Sequence, residues 1–109
     1  MGFIKKLNIW LNLPRDFKAN YYTIKSEKGS IILKQNKEII IKEIYILPNF
    51  REKGILKEII KFFESNKFRG KKIKIQSILS KILWNFLSKR EKWVTVPGEY
   101  SMRSNINCR

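Results

Sequence analysis

The chain has 109 residues, 43% hydrophobic and 13% aromatic, which is enough for one modest core and argues a folded domain rather than a disordered tail. Against 9 Asp and Glu stand 24 Lys and Arg, a formal charge of +15, so the expected partners are anionic: nucleic acid, a phosphate-bearing coenzyme or an acidic membrane surface. With no histidine and one cysteine, Cys108, histidine-dependent triads, an intrachain disulfide and a Cys/His zinc site are excluded, and a reducing, cytoplasmic setting is expected.

Residues 1–20 read as an N-terminal helix and loop, and 21–104 as the core of a single domain spanning 1–109. Phe3, Ile4, Leu7, Trp10 and Leu11 fall on one helical stripe, and Pro14 ends it. A basic amphipathic helix this short either packs on its own core or lies on a membrane surface. No apolar run reaches the roughly 20 residues that a bilayer span needs. Lys5, Lys6 and Asn8 interrupt what would be a signal-peptide core.

Strands are expected next. Tyr21 to Lys25, a turn at Ser26-Glu27-Lys28-Gly29, Ser30 to Lys34, and a polar link at Gln35-Asn36-Lys37 lead into a long strand from Glu38 to Leu47. Two short polar links between β-rich runs predict an antiparallel meander. Ile39, Ile40 and Ile41 in succession predict burial on both faces, as in a central strand. Lys42 and Glu43 break that run, which places them at a bulge, an edge or a solvent-lined cleft.

After Leu47 a basic turn enters an amphipathic helix. Lys53, Lys57 and Lys61 recur at i, i+4 and i+8, opposite Ile55, Ile59, Phe62 and Phe63. A strand that delivers its C-terminal end into main-chain N–H groups at a helix start suits a phosphate, and Gly54 lets the chain approach an anion closely. The plainer alternative is a strand–turn–helix unit with a solvated basic side. Residues 51–74 carry nine Lys or Arg against three Glu, the densest basic region of the chain. Because a genome poor in G and C also yields Ile-, Lys- and Asn-rich chains, that charge does not by itself assign a nucleic-acid role. Gly70 marks the exit of the helix, Lys71 to Gln76 the next strand, and about Leu79 to Arg90 a second helix with Ile82, Leu83, Phe86 and Leu87 at helical spacing. Lys92 to Val96 and Tyr100 to Ser104 are the last strands.

The run Ile44-Tyr45-Ile46-Leu47-Pro48-Asn49-Phe50-Arg51-Glu52-Lys53-Gly54-Ile55 resembles the acetyl-coenzyme A signature of the GNAT superfamily of N-acetyltransferases: an apolar strand, x-Pro-x-aromatic, then Arg/Gln-x-x-Gly-x-Gly/Ala opening a helix. The resemblance is specific at 44–55 and topological elsewhere from Tyr21 to Ser104. It implies an α/β (α+β) fold with a mixed, mostly antiparallel sheet, helices after the central strand and a short N-terminal helix. It implies transfer of an acetyl group from acetyl-coenzyme A to an amine, small-molecule or protein. The strand is expected to splay from its neighbour at Ile44, Tyr45 and Ile46 to pair with the pantetheine arm. The turn amides of Arg51, Glu52, Lys53, Gly54, Ile55 and Leu56 would hold the pyrophosphate. Glu43 precedes the apolar run where many members carry an acid, and a partly buried carboxylate of raised pKa suits a general base acting through water. The alternative is a Glu43 that pairs with Lys42 or another base at the sheet surface. Two positions depart: Leu56 replaces the last small residue, and Ser88 stands where the second helix carries the tyrosine that protonates the thiolate. A cognate without chemistry, binding nucleic acid or another acidic partner, is the alternative.

Overall fold

The computed structural model describes residues 2–65, 68, 71–76, 78 and 80–104. Gly70, Leu79 and Cys108, each assigned a part above, lie outside them. The chain forms α1 (Phe3–Leu11), α2 (Arg15–Lys18), β1 (Tyr22–Ser26), β2 (Gly29–Gln35), β3 (Ile39–Ile46), a 3-10 turn at Pro48–Phe50, α3 (Ile55–Phe63), β4 (Ile73–Ile75), α4 (Lys81–Ser88), β5 (Trp93–Thr95) and β6 (Met102–Ser104). The fold is mixed α+β. One six-stranded sheet runs in the order β1-β2-β3-β4-β6-β5, with β3–β4 as its parallel pair and antiparallel pairing elsewhere. Among the described residues, no helix is long and apolar enough to cross a membrane.

The meander β1–β3 is the one expected from its polar links. Pro14 ends α1 as expected, but it also opens α2, a single turn that buries nothing and that no apolar stripe announced. Its fixed φ suits it to the start of a helix as well as to the end of one.

Side chains on opposed residues of neighbouring strands point to one face. Ile24, Ile31, Leu33, Ile39, Ile41, Ile73, Ile75, Met102 and Trp93 share such a face and are buried together. Phe3, Leu7 and Trp10 of α1, Ile59, Ile60 and Phe63 of α3, and Leu83 and Leu87 of α4 complete that core. The crossovers β3-α3-β4 and β4-α4-β5 step the same way along the sheet, so right-handed connections put α3 and α4 on the same side. The opposite face carries no buried strand residue. Ile40 is therefore half-buried, and the double-sided burial expected of the Ile39–Ile41 run is not found, because α1, α3 and α4 all pack on the other side.

Between Ile32/Leu33 of β2, the register with β3 shifts by one residue: Leu33 faces Ile41 and Ile32 faces Glu43. Lys42 is the extra residue of a bulge, as one of the placements expected for it. The shift resets the alternation, so Ile44 and Ile46 return to the helix-covered side while Glu43 points away.

At the C-terminal end of α3, Glu64 ties three elements together. Arg90 donates from Nε to Oε2 (2.7 Å) and from Nη2 to Oε1 (2.5 Å), and the Trp93 indole N–H donates to Oε2 (2.7 Å). A second bidentate pair, Arg103 on Glu38 at 2.9 and 3.1 Å, joins β6 to the start of β3 across the intervening β4.

Candidate functional site

The β3–β4 ladder stops early. It pairs Ile39 with Ile73, Ile40 with Lys74 and Ile41 with Ile75, and its last rung is the Gln76 N–H donating to the Ile41 carbonyl at 2.9 Å. Beyond the bulge, Ile44 to Ile46 pair only with β2, so the other edge of β3 has no strand beside it among the described residues. That parting opens a cleft of about 460 Å³. Ile44, Tyr45 and Ile46 form one wall, and Phe50, Arg51, Glu52 and Gly54 the turn end. Ile55, Leu56 and Lys57 of α3 continue it, and Ser80, Ile82, Leu83 and Phe86 at α4 close the far side.

The turn positions main-chain donors. Phe50 N–H donates to the Leu47 carbonyl (2.9 Å) and Arg51 N–H to the Pro48 carbonyl (3.3 Å). The next to find a main-chain acceptor is Glu58, on the Gly54 carbonyl at 3.0 Å. The N–H groups from Glu52 to Lys57 thus have no main-chain acceptor among the described residues, and no side chain caps the helix at Gly54. A run of uncommitted N–H groups at the positive end of a helix dipole favours an anion. Compared with the expected set Arg51 to Leu56, the donors begin one residue later, because the Arg51 amide closes the 3-10 turn.

Two left-handed residues shape this turn, Glu52 at φ 62 and Gly54 at φ 78. A Cβ at Gly54 would meet nothing within 4 Å, so the glycine is used for its backbone angle rather than for clearance. Glu52 carries a side chain where one is disfavoured by roughly 1–2 kcal/mol. Glu52→Gly is therefore expected to raise the urea midpoint, by up to about 1 kcal/mol once glycine's own entropy is offset. A lower midpoint would show that the carboxylate repays its awkward angle elsewhere.

Arg51 reaches back instead of forward. Its Nε donates to the Ile46 carbonyl at 2.8 Å, and its guanidinium lies 5.6 Å from the centre of the Tyr45 ring. One main-chain acceptor on the open edge of β3 is thereby already occupied. Leu56 is half-buried against the core and forms part of the apolar floor; its side chain leaves the cleft open.

The predicted residues do not all converge. Ile44, Tyr45, Ile46, Arg51, Glu52, Gly54, Ile55 and Leu56 line the cleft, while Lys53 is exposed outside the lining. Glu43 is also exposed, outside the lining and on the face away from the helices, so the partial burial expected of a base is absent. It does not pair with Lys42, whose Nζ lies 4.8 Å from the Tyr21 ring centre. Ser88 sits in the last turn of α4 and donates its hydroxyl to the Trp84 carbonyl at 2.7 Å, away from the lining. The structure adds Phe50, Lys57, Ser80, Ile82, Leu83 and Phe86, to which the sequence assigns no place in a site. Of these, Ile82 is 72% exposed, and its helical spacing with Leu83, Phe86 and Leu87 gives no sign of that.

Comparison with known proteins finds no matching family model, no matching curated protein and no matching solved structure.

Proposed function

We propose that the chain is an acyltransferase that moves an acetyl group from acetyl-coenzyme A to an amine, in a cytoplasmic setting. The observation that carries the reading is the parting of β3 from β4 beside uncommitted amides at the start of α3. It is supported by the resemblance of Ile44 to Ile55 to a coenzyme-binding signature. The coenzyme would bring the thioester. The chain's residues would do the rest: Glu52 to Lys57 hold the diphosphate through their N–H groups, and Ile44 offers main chain to the arm. Ile82 and Phe86 keep water from the apolar wall. Glu43, exposed, takes the amine's proton only through water. Tyr45, in the lining, would return one to the thiolate in place of Ser88.

Thermal melting with acetyl-coenzyme A tests this. At a hundredfold excess over its dissociation constant the coenzyme should stabilise the fold by roughly 2.7 kcal/mol. Gly54→Glu should abolish that shift, because a carboxylate would stand among the N–H donors, while costing the fold only the roughly 1 kcal/mol of a side chain at a left-handed angle. No shift in the unaltered protein would end the proposal.

The exposed Glu43 and the committed Ser88 hydroxyl favour a second reading, a strongly basic protein that keeps the scaffold without chemistry and binds nucleic acid or another acidic partner. A coenzyme shift without acetyl transfer to any amine would move the assignment there.

A further inference from the structure

We infer that the uncovered face of the sheet binds single-stranded nucleic acid, at a site separate from the cleft and independent of whether the cleft does chemistry. The face is a half-apolar surface in a chain of charge +15. Ile32 and Ile40 lie on it half-buried, and Val94 on it is exposed. At its β1 side the Nζ atoms of Lys34 and Lys42 lie 4.5 and 4.8 Å from the centre of the Tyr21 ring. The bulge contributes to this, since the extra residue in β3 is Lys42 itself.

Two ammonium groups converge on one exposed ring, and neither pairs with a carboxylate among the described residues. Of the other cations of this face, Lys74 is neutralised by Glu99 at 2.9 Å and Arg103 by Glu38, while Lys25 of β1 has no carboxylate partner among the described residues and exposed Glu43 is the one anion beside them. Unbalanced charge is therefore concentrated beside Tyr21. Such a spot calls for a polyanion that also presents flat apolar groups, and a single strand offers both, phosphates for the lysines and bases for the ring and the aliphatic surface. A second copy of this chain would bring the same lysines against themselves. A duplex hides its bases and would leave Tyr21 and the aliphatic residues without a partner.

The test is fluorescence anisotropy of the full chain with labelled single-stranded RNA and DNA, a duplex of the same sequence and a polyglutamate peptide, at stepped salt. Lys34→Gln with Lys42→Gln is expected to weaken single-strand binding about tenfold or more. It should also flatten the slope of log K against log salt by about 1.4, which is about 0.7 for each of the two lysines. Tyr21→Ala should lose about tenfold and Tyr21→Phe almost nothing, because the ring and not its hydroxyl does the stacking. Lys57→Gln with Lys61→Gln, on the exposed side of α3, is the control and should lose clearly less. Thermal melts of each variant check that it is folded. Equal losses from both lysine pairs, equal affinity for the duplex, tighter binding of polyglutamate, or no binding at all would each overturn the inference.

Discussion

Gly29→Ala is expected to cost about 3–5 kcal/mol, enough to leave little of the stability of a small domain. Gly29 starts β2 opposite Ile46, at φ 152. A Cβ there would lie 1.9 Å from the Tyr45 carbonyl oxygen. That oxygen belongs to the main chain of β3, so no side chain can turn aside to make room. The hairpin must part at the very residues that wall the cleft, while the new methyl also meets a disfavoured backbone angle. Gly98→Ala is the control: it too is left-handed, at φ 78, but opens into free space and should cost only about 1 kcal/mol. Urea unfolding of the two variants side by side measures the difference. Equal midpoints would show that the approach of β2 to β3 is looser than its geometry.

Glu64→Ala should destabilise by about 2–3 kcal/mol, by leaving the Arg90 charge and the Trp93 indole N–H without their acceptor. The carboxylate side chain is only 7% exposed. Burial pushes its pKa up. The hydrogen bonds from Arg90 and Trp93, with the charges of Arg90 and Lys92, outweigh burial and hold it below the usual carboxylate range. A carboxyl depressed in the folded state stabilises that state above its unfolded pKa, and the contribution is lost as pH falls through the lower folded value. Melting temperature should therefore fall as the medium becomes more acidic than the usual carboxylate range. Glu99, depressed by its hydrogen bond to Lys74, adds in the same direction. Glu64→Gln should flatten the slope in that acid range, and an unaltered slope would mean that other carboxyls control it.

What could be read from the chain and what could not divides at particular residues. The meander, α1 and α3 follow from turn chemistry and apolar spacing, which are local; the mixed sheet is what the resemblance at 44–55 implies. Alternation along β3 does not survive Lys42, because a bulge is fixed by the partner strand rather than by the strand itself. An unbroken alternation would have put Glu43 on the same side as Ile39 and Ile41, and the bulge turns it to the other. In α4, spacing groups Ile82 with Leu83, Phe86 and Leu87, yet only Leu83 and Leu87 are buried. Which edge of a helix turns to the core is decided by where the neighbouring strands stop, and β4 stops at Ile75. The turn between β3 and α3 is legible in the sequence; that Arg51 bends back to cap Ile46 is not, because the acceptor exists only where a strand lacks a neighbour.

Three rungs stitch β3 to β4, and the Arg103–Glu38 pair locks them at the end where β3 begins. At the other end the two halves of the sheet stand apart. The domain is thus built like a clothes-peg, pinned at one end and sprung at the other. A molecule seated between the jaws would touch both halves of the sheet, while the arginine–glutamate pair holds those halves together at the far end.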